Sequence, residues 1–220
     1  MNHHRIGIIL ILVMLLIGIV AYPMLPEIVP THYGIDGMPN NFGPRWIAAF
    51  MAPLASLLIF VLFEYLPRLD PMTRRDPQRF SYESFRPTLQ RWSTAFLLFI
   101  LLTHIVQLLG VFGYHGETFR ILFGGIGLLF AALGNEMGRL RPNSFAGIRV
   151  PWLMNDEAAW RLAHRWAGRA FVIGGVAALL CAITLPMKIA SVAALVCIGG
   201  ATVVTLVGSY AAALRTGRKA

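Results

Sequence analysis

Charge is what this sequence has least of, and acidic charge least of all. Asp, Glu, Lys and Arg make up 13% of the 220 residues, ten acids against nineteen bases, while hydrophobic residues make up 57%. A soluble globular domain carries about 25% charged residues, so that class is excluded. The mean hydropathy of +0.66 comes from long apolar runs with the charges bunched between them, which is the pattern of membrane spans and not of one core under a charged skin. Cysteine is nearly absent. Cys181 and Cys197 each lie in an apolar stretch far from any His or carboxylate in sequence, and read as inert small hydrophobes. Also missing are a zinc-protease helix pair, a Gly-x-Ser-x-Gly elbow and a phosphate-binding glycine loop followed by Lys-Ser/Thr, and neither His32 nor His115 has a base or nucleophile partner by spacing. The sequence therefore predicts no enzyme, no cofactor and no metal site. The net charge of +9 comes without an aromatic nucleic-acid motif, so membrane topology and anionic lipid account for it better than direct nucleic-acid binding.

What is present is a series of apolar segments close to the roughly 20 residues that cross a hydrocarbon core of about 30 Å. Six are found, at residues 6–22, 46–66, 93–114, 118–135, 171–187 and 189–214. The first follows Arg5 and is followed by Pro23 and Pro26 without a small-residue cleavage site, so it reads as an uncleaved span. The fourth is the weakest helix former, because Gly124, Gly125, Gly127 and Gly134 lower its propensity while permitting close approach of a neighbouring helix. Pro186 and Lys188 mark a tight turn between the last two spans.

The basic residues set the orientation. With the N-terminus inside, 16 of the 19 Lys and Arg are cytoplasmic and only Arg45, Arg120 and Lys188 lie outside. The predicted fold class is an all-α membrane protein of six transmembrane helices, both termini cytoplasmic, in the bacterial inner membrane. Residues 1–67 form a two-span module with an outer loop at 23–45, residues 68–92 a solvated basic connector broken by prolines, and residues 93–220 a four-span module with a cytoplasmic segment at 139–169.

That cytoplasmic segment is the most informative. Asn155 is positioned as an N-cap, with Asp156 and Glu157 in the first turn favouring the helix dipole. Arg161, Arg165 and Arg169 recur at i, i+4, i+8 and form one cationic stripe, Trp160 and His164 form a second i, i+4 pair, and Trp166 supplies another amphipathic ring. This predicts an interfacial amphipathic helix at the inner headgroups, ahead of the fifth span.

The run Asn143, Gly147-Ile148-Arg149, Pro151-Trp152, Trp160 and His164-Arg165 resembles the signature of the SdpI family of bacterial membrane immunity proteins. The outer segment LPEIVPTHYGIDGMPNNFG, containing Pro30, His32 and Gly37, resembles the proline-histidine-glycine module, a domain of unknown function that often precedes that signature. The two motifs occur in the family order. Two departures stand out: Leu153-Met154 and Asn155 replace the usual Thr, Leu and Ser or Thr after Pro151-Trp152, and the outer segment lacks the Asn usual near Tyr33 or Gly34. The resemblance implies protection against a secreted membrane-active antimicrobial peptide toxin, bound at the outer loop by Pro30, His32 and Gly37. It also implies a signalling arm in which a cytoplasmic transcriptional repressor is sequestered.

Blander roles compete at each position. His32 could simply order its loop by bonding a backbone carbonyl, Arg149 could pair with lipid headgroups or with Glu136 or Asp156, and Asn143 could satisfy carbonyls at the end of the fourth span. His104, with Thr103 and Gln107 on nearly one face of the third span, fits an interhelical hydrogen bond. Glu64 and Glu136 reach the interface, where arginines can pair with them. A small transporter or exporter of a peptide or solute is the alternative, although no repeat between the halves is apparent.

Overall fold

The computed structural model describes residues 3–34, 38–76, 80–114 and 117–216, with backbone alone at 117–119, 187 and 188. Gly37 and His115 lie outside the described residues. Six helices are long and apolar enough to cross a membrane, as expected. They are α1 (His3–Ala21), α2 (Arg45–Leu69), α4 (Arg86–Val111), α5 (Glu117–Met137), α7 (Glu157–Thr184) and α8 (Met187–Arg215), with the short helices α3 (Pro71–Arg75) and α6 (Pro151–Met154) between them. Their apolar side chains point outward as well as inward: Leu16, Leu58, Ile173 and Val196 are each more than half exposed, as lipid-facing residues must be.

Helix α4 stands at the centre. It packs against α1 and α2 on one side and α5 on the other, and α7 packs between α5 and α8. The α5–α7 crossing is close because glycines meet there. A Cβ on Gly134 would lie 2.7 Å from the Gly168 carbonyl oxygen, and one on Gly127 would lie 2.5 Å from that of Gly175. Lipid gives helices no hydrophobic reason to associate, so such backbone contact supplies the packing instead. Arg120 of α5 donates from Nη1 to the carbonyls of Ala182, Ile183 and Leu185 at 2.9, 3.2 and 3.0 Å, closing the C-terminal end of α7.

The fold departs from the sequence expectation in three places. The Pro-, Gly- and Asn-rich outer segment, read as a loop, contains two strands: β1 (Ile28–Tyr33) and β2 (Pro39–Pro44) pair antiparallel, with a register irregularity around His32. The expected interfacial helix and the fifth span are one continuous 28-residue helix, α7, because nothing between Glu157 and Thr184 breaks the backbone pattern. Its N-cap is Asp156, which accepts from Ala158 N and Ala159 N at 2.9 and 3.0 Å. Asn155 is unavailable for that role, since it is the C-cap of α6. Finally, the 68–92 stretch is not a solvated connector, for Asp70, Phe85 and Thr88 within it are almost wholly buried.

Two buried clusters lie at opposite ends of the bundle. Ala21, Leu25, Val29, Ala48, Ala49 and Leu108 pack beneath the hairpin. A larger cluster at the other end joins Tyr82, Phe85 and Trp92 to Leu140, Leu153 and Trp160. His104, fully buried in the third span, lies beside Met14 of α1.

Candidate functional site

The larger cluster is built around the irregular stretch from Arg139 to Val150, which has no regular secondary structure and so depends on side chains to satisfy its backbone. Asn143 does most of this. It is fully buried; its amide donates to the Arg141 and Ala146 carbonyls at 2.8 and 3.0 Å, and its oxygen accepts from Phe145 N and Ala146 N at 2.9 and 2.7 Å. Asn143 thus satisfies carbonyls as its bland reading supposed, though the carbonyls belong to this loop.

Gly147 takes φ +99°, a conformation that strains any residue with a Cβ. Such a Cβ would also clash with His164 Nε2. The closeness has a purpose in the fold, because Nε2 accepts from the Ile148 N–H at 3.0 Å while Nδ1–H donates to the Trp160 carbonyl at 2.9 Å. These partners set His164 as the neutral Nδ1–H tautomer. Trp160 stacks on that ring with centroids 4.1 Å apart and donates Nε1–H to the Leu140 carbonyl at 3.0 Å. Both rings are wholly buried, so they hold the loop onto α7 and do not lie at a headgroup surface. Pro151 begins α6, and Trp152 reaches α8, donating Nε1–H to Ser209 Oγ at 3.3 Å and meeting Tyr210 edge-on.

The polar centre of the site includes two residues that the sequence reading passed over. Asp70, fully buried at the end of α2, accepts from Tyr82 Oη–H at 2.5 Å, from Ser144 N at 2.9 Å and from Met72 N at 2.8 Å. Tyr82 Oη also lies 3.3 Å from Asn143 Oδ1. Burial and the Asp70 carboxylate push the Tyr82 phenol far above its ordinary value, so it stays a donor. One signal for Asp70 was present in the sequence: Asp followed by Pro reads as an N-cap with proline in the first turn, which it is for α3. Its second function, gripping Ser144 from 74 residues away, had no sequence signal.

Arg149 and Arg165 are exposed. Arg149 pairs with neither Glu136 nor Asp156, and instead donates from Nη1 to the Ser144 carbonyl. Glu136 is engaged by Arg91 and Arg139, at 2.7 and 2.6 Å, with Thr88 at 3.2 Å. Glu64, expected to meet arginines, faces His3 and His4 at 3.5 and 3.7 Å.

At the other end of the bundle, His32 is exposed on β1 and its Nδ1–H donates to Asn40 Oδ1 at 2.6 Å, a side-chain partner in place of the backbone carbonyl anticipated. Pro30 precedes it in β1, paired with Phe42. The structure thus brings Asn143, Gly147, Arg149, Trp160 and His164 together at one end and leaves Pro30 and His32 at the other.

Six spans, a hairpin at one end and a braced polar loop at the other define a multi-pass helical membrane protein with a distinct motif at each end. Residues 139–210 match the SdpI/YfhL protein family, and residues 9–57 match the Domain of unknown function (DUF1648). The chain is 26% identical over 175 residues to Immunity protein SdpI of Bacillus subtilis (strain 168), covering 80% of this chain and 79% of that one. It therefore carries an SdpI-family region behind a DUF1648 region, as its motifs indicated, and is a multi-pass protein of the bacterial inner membrane. No solved structure matches it.

Proposed function

We propose that this protein confers immunity by capturing a secreted, membrane-active antimicrobial peptide at the β1–β2 hairpin. We further propose that occupancy is communicated to the braced loop, where Arg149 meets a cytoplasmic repressor. Relatedness to an immunity protein supports the first part.

The observation that carries the second is the path through α2. β2 ends at Pro44 and α2 begins at Arg45 with no linker, so the hairpin and the helix move as one body. Twenty-five residues at about 1.5 Å each span about 37 Å, enough to cross the hydrocarbon core. At its far end Asp70 holds Ser144 and Tyr82, and so the loop that carries Arg149. A ligand that binds one position of the hairpin better than another biases the loop by that difference in affinity. The arginine distribution supports an orientation with the hairpin outside and the loop inside.

The test is expression of the intact chain in a toxin-sensitive bacterium challenged with the peptide. Protection should accompany depletion of peptide from the medium and persist when the proton-motive force is dissipated. His32→Ala at equal membrane abundance should weaken protection, whereas Arg149→Ala should spare protection and abolish repressor recruitment to the membrane. Survival that is the same with and without the protein rejects the immunity reading, and protection that collapses with the proton-motive force favours export over capture.

A further inference from the structure

Arg165 is a signature residue that the braced loop does not use. On the exposed stripe of α7, Arg161 pairs with Glu157 at 3.3 Å, but the next two arginines lead elsewhere. Arg165 and Arg169 line a cavity of about 380 Å³ between α5 and α7, together with Gly134, Asn135, Gly168 and Ile173. Its origin is the glycine contact: where Gly134 and Gly168 bring the two backbones together, no side chain fills the groove above them.

The groove is polar at one end and apolar at the other. Two arginines line one end, and Ile173, 70% exposed, forms the lipid-facing wall one turn beyond Arg169. No carboxylate is among the lining residues. The nearest in sequence, Glu136, is paired with Arg91 and Arg139 at 2.7 and 2.6 Å and accepts from the Asn135 amide at 3.4 Å.

We propose that this groove is a binding site for an anionic phospholipid, with the phosphate between Arg165 and Arg169 and one acyl chain along Ile173. Charge complementarity selects the headgroup, since two guanidiniums with no carboxylate in the lining, the adjacent Glu136 being paired with Arg91 and Arg139, favour a net-anionic headgroup over a zwitterion. The apolar wall selects a lipid over a soluble phosphate, because only an attached chain stays against Ile173. The proposal rests on the reading that this end of the bundle meets the headgroups of the cytoplasmic leaflet.

The test uses the full-length protein, delipidated in neutral detergent and titrated with phosphatidylglycerol or with phosphatidylcholine of the same chains, adducts being counted by native mass spectrometry. At about fivefold per arginine, phosphatidylglycerol should bind about 25-fold more tightly than phosphatidylcholine. The Arg165→Gln, Arg169→Gln double variant should erase that preference, and Arg161→Gln, on the same stripe but outside the groove, should retain it. Soluble glycerophosphate should not compete. The proposal is overturned if the two lipids bind alike, if Arg161→Gln costs as much as the double variant, if glycerophosphate displaces the lipid, or if the adduct is a second copy of the chain. A reporter fusion placing residue 165 outside the cell would remove the topological reading while leaving the lipid preference standing, so the two failures are separable.

Discussion

Gly147→Ala isolates the contact between the braced loop and α7. At φ +99° an alanine is strained by about 1–2 kcal/mol. Its Cβ would clash with His164 Nε2, so the loop must move and the Ile148 N–H loses a buried acceptor, costing about 1–3 kcal/mol more. The combined loss of about 2–5 kcal/mol lowers the thermal midpoint by roughly 5–15 °C for a chain of this size. Tryptophan fluorescence in detergent is a suitable monitor, because Trp160 stacks directly on His164. The discriminating measurement is a double-mutant cycle with His164→Ala. Removing the ring removes the clash, so Gly147→Ala should cost at least 1 kcal/mol less in that background. Strictly additive losses, or a Gly147→Ala midpoint within about 1 °C of wild type, would refute the reasoning.

Asp70→Ala leaves the Ser144 N–H and the Tyr82 hydroxyl without their buried acceptor, and should destabilise the protein by about 2–4 kcal/mol while increasing hydrogen exchange at residues 143–149 over that in the hairpin. The Tyr82 phenol, raised by burial and by Asp70, favours the folded state at pH below its unfolded value of about 10, and that contribution fades as pH rises above it. Tyr82→Phe should therefore flatten the decline in thermal midpoint at alkaline pH, and an unchanged slope would contradict the assignment. Glu136→Gln should cost about 1–2 kcal/mol by urea unfolding, a modest figure because Arg91 and Arg139 are 57% and 58% exposed and can turn to water. Gly127→Val should separate α5 from α7, since its Cβ alone would lie 2.5 Å from the Gly175 carbonyl; overpacking of about 1–3 kcal/mol should appear as a lower midpoint, with Gly199→Val, in open space, as the neutral control.

Legibility differs between the elements for physical reasons. The six spans were readable because a membrane helix is defined by the composition of about 20 consecutive residues, and no distant partner is needed to recognise it. The glycines of the fourth span announced a close helix contact for the same local reason, though not that Gly168 and Gly175 would be the counterparts. The two motifs carried the family because both are short and continuous. Tertiary structure decided what those motif residues do. An i, i+4 pair such as Trp160 and His164 has the same spacing whether it faces headgroups or a core, and only the return of Gly147 and Leu140 against it settles for the core. Asp70 and Ser144 come together because two spans, α4 and α5, lie between them in the chain, one leading away and one returning, which brings both segments to one end of the bundle. Proline and asparagine in the outer segment permit a loop or a hairpin alike, and pairing of residues 28–33 with 39–44 chose the hairpin. Sequence alone thus determined which segments enter the membrane, through local transfer energetics, whereas the cross-chain hydrogen bonds that make one end a braced loop exist only once the helices are packed.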